Sequence, residues 1–173
     1  MAGKLVQVAT TTVTSATASV TLTGISDDSV YVLTLNDVAP SSDNYYLRVK
    51  FTESGTPNST SNYDYAMKFM QTGGAFLNLA GTNSAGVNIT NHTNGTGTSE
   101  TTNGIFNIYN ANNSAEYTFM TTESSNVDSS NDHYGSPGGL VFTSSSEVDG
   151  VYLYYTTGNI ASGVFTLYKQ VGS

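Results

Sequence analysis

NYYLRVKFT, residues 44–52, alternates without a break: Tyr45, Leu47, Val49 and Phe51 point one way, Tyr46, Arg48 and Lys50 the other. Successive side chains of an extended chain leave on opposite faces, so a period of two marks a strand with one face in a core and one in water. The same reading extends outward along the chain. ASVTLTG (18–24) sets Val20 and Leu22 against Thr21 and Thr23. YDYAMKFM (63–70) sets Tyr63, Tyr65, Met67 and Phe69 against Asp64, Ala66, Lys68 and Met70. AEYTFMT (115–121) puts Tyr117 and Phe119 on one face, and GVFTLYK (163–169) adds a strand near the end. Four runs are apolar at both parities: KLVQVA (4–9), SVYVLTL (29–35), GIFNIYN (104–110) and VYLYY (151–155). Such runs are expected to be covered on both faces, by the middle of a sandwich or by another subunit. GLVF (139–142) supplies one more short strand.

No window carries a 3.6-residue apolar stripe longer than two turns, so helices are not expected. The spacing of strands and turns predicts an all-β fold, a single antiparallel β-sandwich of about 8–10 strands, in one domain over residues 1–173. Ser26-Asp27-Asp28 and Pro40–Asn44 supply turn residues. Two polar stretches, 72–103 and 123–139, read as loops of a length that is usually functional or mobile.

Composition narrows the function. Only 10% of the 173 residues are charged, 13 acidic against 5 basic, for a net charge of −8. Thr, Ser and Asn together make 65 residues and take over the solvating role of Lys and Glu. No basic patch is available to neutralise phosphates, so no nucleic-acid partner is expected. With no cysteine, disulfides, thiolate catalysis and zinc–sulfur sites are excluded. MAGKLVQVATTTV (1–13) lacks the pattern of a signal peptide, and the apolar runs are too short to cross a bilayer as helices, so no membrane partner is expected.

Candidate chemistry is sparse. His92 and His133 fall in the two polar stretches, and no GxSxG, HExxH or phosphate-cradling glycine loop occurs. The single arginine, Arg48, leaves little to clamp an anionic substrate. Acidic groups at Asp27/Asp28, Asp43/Asn44 and Asp128/Asn131/Asp132 lack the spacing of a calcium loop and read as turn caps. Five N-x-S/T sequons, at Asn58, Asn88, Asn91, Asn94 and Asn112, are what chance gives in so polar a chain. The expectation is no catalytic, cofactor or metal site. Tyrosines at 45/46 and 152/154/155 suit a protein interface better than a sugar platform, although both remain open.

A set of short stretches, in fixed order, resembles small structural proteins of tailed-phage virions, especially from marine and cyanobacterial phages. It begins with SATASVTLTGI (15–25) and continues through the segment from Tyr31 to Gly55 with its VLTLNDVAPSSDNYYLRVKFTESG. SNYDYAM (61–67), GIFNIYN (104–110) and the terminal GNIASGVFTLYK (158–169) complete it. The resemblance implies a jelly-roll-like sandwich on a virion surface, as a head decoration or cement protein or as a tail or fibre component. It also implies other virion proteins as partners, the major capsid protein or tail proteins, and a homo-oligomer with a trimer favoured. Gly158-Asn159 reads as a turn requiring positive φ and Gly163 as a bulge or close approach. The residues expected at an interface are Leu77, Leu79, Val87, Ile89, Tyr152 and Tyr154.

Overall fold

The computed structural model describes residues 3–90 and 93–172. Among them are thirteen strands and no helix. In chain order these are β1 (Lys4–Val13), β2 (Val20–Thr23), β3 (Tyr31–Pro40), β4 (Leu47–Glu53), β5 (Thr56–Pro57), β6 (Tyr63–Gln71) and β7 (Phe76–Ser84). There follow β8 (Val87–Asn88), β9 (Thr102–Tyr109), β10 (Thr118–Val127), β11 (His133–Phe142), β12 (Gly150–Tyr155) and β13 (Ile160–Val171). The larger sheet runs β1-β13-β3-β9-β10-β11-β6-β7, and the smaller runs β2-β12-β4-β5 with β8 also on β4. Pairing is antiparallel throughout, and the inner faces of the two sheets share one core, so the chain forms an all-β sandwich.

The pattern of residues 44–52 appears as read. Leu47, Val49 and Phe51 of β4 are buried in the core, while Arg48 and Lys50 face outward and are half-buried. An aromatic cluster fastens this strand to the opposite sheet. The Tyr63 ring lies 6.1 Å from Phe51 and 4.8 Å from Phe142, centroid to centroid. Each such side chain taken out of water contributes roughly 1.5–3 kcal/mol. Gly163, at φ +137°, sits at a register irregularity between β13 and β3, where a Cβ would come within 2.8 Å of the Val38 Cα. Gly158 has φ +79° in the turn before β13.

Three expectations need correction. KLVQVA and GIFNIYN are not covered on both faces: β1 is the outermost strand of the larger sheet with Leu5 52% exposed, and Ile105 on β9 is 54% exposed. Core cover reaches β1 only from Val8 onward, so the apolar residues before it stand in the open. Residues 123–139 are not a loop but most of the β10–β11 hairpin, closed by the Asp128 carboxylate, which accepts the N–H groups of Ser130 (2.8 Å) and Asp132 (2.9 Å). Its inward positions are Thr122, Ser124 and Asn126, buried yet polar, because the chain after β8 crosses above them; Ser124 Oγ donates to the Ile89 carbonyl at 2.9 Å.

The third correction is the 72–103 segment, which supplies β7 and β8 and raises the strand count above nine. Val87 and Ile89 are fully buried in the chain's own core, so neither has surface to give to a neighbour. The segment is pinned along β4 by Arg48↔Asn88 and Val49↔Val87 pairing and by the Ile89 N–H on the Leu47 carbonyl (2.9 Å).

Candidate functional site

The outer face of the smaller sheet gathers the most distinctive side chains. β4 sends Arg48 and Lys50 outward, and β12 places Tyr154 directly opposite Arg48 and Tyr152 opposite Lys50. The two tyrosine rings lie 5.3 Å apart, tilted by 40°. Lys50 Nζ stands 5.2 Å from the Tyr154 ring centre and Arg48 Cζ 5.9 Å, within the range where a cation is drawn to a ring face by about 0.5–1 kcal/mol at exposed sites.

Gly86 organises this cluster. Its carbonyl accepts a hydrogen bond from Arg48 Nη2. A Cβ at this position would lie 3.1 Å from Lys50 Cγ and 3.3 Å from the Tyr154 hydroxyl, so only glycine lets both stems pack there without displacement. Val87 and Ile89, driven into the core just beyond, fix where Gly86 sits. Lys50 Nζ donates to Ser59 Oγ at 2.8 Å. Both cations are therefore held by neutral oxygens, and no carboxylate pairs with either among the described residues, whereas Lys169 forms an ion pair with Asp27. Burial, and then the Arg48 charge, hold the Lys50 ammonium below the usual lysine range. Burial likewise raises the Tyr154 phenol, with Arg48 pulling the other way.

A second surface lies on the larger sheet. β7 ends the sheet at one side, carries no charged residue and no proline, and leaves Phe76 65% and Leu77 45% exposed. The outer face of the sheet also bears Met70 on β6, Ile105 on β9 and Phe119 on β10, and a groove of about 820 Å³ runs between Ile105, Met70 and Pro137 over a floor that includes Gly135.

Of the residues expected at an interface, Leu77 is exposed on the edge, Leu79 is half-buried against the core, and Tyr152 and Tyr154 stand together on the smaller sheet. Val87 and Ile89 are interior, as described above. Arg48, Lys50 and Gly86 complete the tyrosine cluster and were not singled out as a site by the sequence; the available signal was two cations two residues apart at outward parity in an acidic chain.

His133 opens β11 rather than lying in a loop, and its Nε2 is 2.8 Å from Ser125 Oγ on an exposed sheet face. Among the described residues no carboxylate hydrogen-bonds His133 to orient the ring as in a Ser-His-Asp triad. His92 lies outside the described residues. Among the described residues no group of three or more His, Cys, Asp or Glu could hold a metal ion. The acidic turns use their oxygens on the chain itself: Asp43 Oδ1 accepts Thr96 N–H at 2.6 Å, and Asp128 caps the β10–β11 turn.

Comparison with known proteins finds no matching family model and no matching curated protein.

Proposed function

We propose that the chain is a non-enzymatic structural protein of a tailed-phage virion, most at home on the head as a decoration or cement protein. The ordered stretches from SATASVTLTGI to GNIASGVFTLYK support this reading. The observation that carries it is the apolar surface of the larger sheet, whose outer face exposes Phe76, Met70, Ile105 and Phe119, with Leu77 exposed on the other face of the β7 edge. Monomeric proteins rarely leave so many large apolar side chains on one side, and a particle surface or a second copy would cover them. The partners on this reading are the major capsid protein or tail proteins, with homo-oligomers, trimers above all. Purified protein added to heads that lack it is expected to bind and to raise the temperature at which they rupture. Labelled protein found only on tails in electron micrographs overturns the placement on the head.

A second reading, a tail or fibre component that binds a host glycan, is favoured by one separate observation. Tyr152 and Tyr154 present their rings on the outer face of the smaller sheet beside two cations without counter-charges. Saturable binding to host cells, lost on Tyr152→Ala, would move the assignment to this reading.

A further inference from the structure

We infer that the outer face of the smaller sheet binds an anionic sugar, a carboxylate-bearing unit of an acidic polysaccharide, with Arg48 and Lys50 meeting the carboxylate and Tyr152 and Tyr154 the ring. The inference rests on the glycan-binding reading and gives it a ligand class.

Charge is the first argument. The chain carries 13 acidic side chains and 5 basic ones, so a cation has many potential partners. Two of the five nevertheless stand on one face of β4, two residues apart, which is about 7 Å along a strand. At that spacing they repel each other, and their hydrogen bonds go to the Gly86 carbonyl and the Ser59 hydroxyl rather than to any carboxylate. A neutral oxygen orients an ammonium or guanidinium without cancelling its charge. A ligand carboxylate would complete a charge-assisted contact that the chain leaves unmade.

Preorganisation is the second. Gly86 fixes the Arg48 guanidinium through its carbonyl and clears space for the Lys50 stem and the Tyr154 hydroxyl. Side chains already held in place lose less freedom on binding, which favours weak, small ligands.

Size is the third. The cluster spans two adjacent strands, about 4.8 Å apart, and one two-residue step along them. That footprint matches one or two sugar rings and falls far short of the roughly 800 Å² per partner of a stable protein interface. Tyrosine rings with polar tips suit a ligand whose faces are apolar and whose edges carry hydroxyls.

The test titrates the full chain with oligogalacturonate, neutral dextran and poly-glutamate by calorimetry. Oligogalacturonate is expected to bind saturably and to weaken at least tenfold from about 50 to about 500 mM NaCl, as screened charges must. Lys50→Gln and Tyr152→Ala should each weaken it at least tenfold, with the Lys50→Gln melting temperature unchanged. Equal binding of dextran, equal competition by poly-glutamate, wild-type behaviour of Lys50→Gln, or no binding at millimolar ligand each overturns the inference. Host-cell binding that survives failure with oligogalacturonate removes this ligand class but keeps the glycan reading. Heads stabilised equally by wild-type and Lys50→Gln protein separate either result from the decoration role.

Discussion

The hydroxyl of Tyr63, on β6 of the larger sheet, accepts the backbone N–H of Phe51, on β4 of the smaller, at 2.9 Å. The same hydroxyl donates to the Asn58 carbonyl at 3.2 Å. One fully buried side chain thus ties the two layers by hydrogen bonding as well as packing, and burial lifts its phenol far above the ordinary tyrosine range. Tyr63→Phe keeps the ring but strands the Phe51 N–H in the interior. A loss of about 1–3 kcal/mol is expected in urea unfolding, the cost of an unpaired buried donor.

Tyr155 makes the opposite case. It is buried, its hydroxyl has no hydrogen-bond partner among the described residues, and burial alone raises its phenol. Tyr155→Phe removes an unsatisfied polar atom and keeps the shape. A gain of about 1 kcal/mol in thermal or urea unfolding is expected; any clear destabilisation contradicts it.

Asp27 links acid sensitivity to one contact. The Lys169 ammonium, then the Ser29 side chain, hold its carboxyl well below the usual carboxylate range, helped by the Ser29 N–H at 3.1 Å and the Tyr31 hydroxyl. Because the folded pKa lies below the unfolded one, this stability is complete above about pH 4 and is lost as the pH falls toward the folded value. Lys169 is shifted upward by the same pairing, so its share is complete below the ordinary lysine range and lost above it. Wild-type protein should exceed Asp27→Asn in stability at neutral pH, and the gap should close as the pH drops below about 4. A gap independent of pH rules this out.

The β7 edge predicts how copies associate. A nine-residue outer strand without charge or proline lacks the usual protection against pairing with another chain. Wild-type protein is expected to self-associate at micromolar concentration in light scattering, and Leu77→Lys to be monomeric with its melting temperature within a few degrees of wild type. Persistence of the oligomer in Leu77→Lys places the contact elsewhere.

The strands with apolar inward residues were legible from the sequence. Residues 47, 49 and 51, or 63, 67 and 69, alternate in hydrophobicity because the core sorts them. What escaped was every place where burial and polarity part company. In β10 the inward positions Thr122, Ser124 and Asn126 match their outward neighbours in polarity, so period two is invisible although burial alternates. In β1 the error is reversed, since Leu5 and Val6 look like core and stand at an edge. Val87 and Ile89 carried the right signal of burial, but only the fold reveals that the cover comes from the chain itself. The Arg48–Lys50 cluster required the register of β12 against β4 to bring two tyrosines beside it, and no local spacing encodes that register.

The order of strands also sets the timing of folding. β13 inserts between β1 and β3, and β12 between β2 and β4, so each sheet is completed only by the last two strands of the chain. As the polypeptide emerges from the ribosome, β1 has no neighbour in its sheet and β2 none in its own until residues 150–171 arrive. Closing pairs as distant as Lys4 and Val171 is entropically slow, so this sandwich can close only after residues 150–171 have been made. A stop codon anywhere before Gly150 would leave β1 and β2 without partners and bare β3 and β4 as new edges, and an aggregate rather than a truncated sandwich is the product to expect.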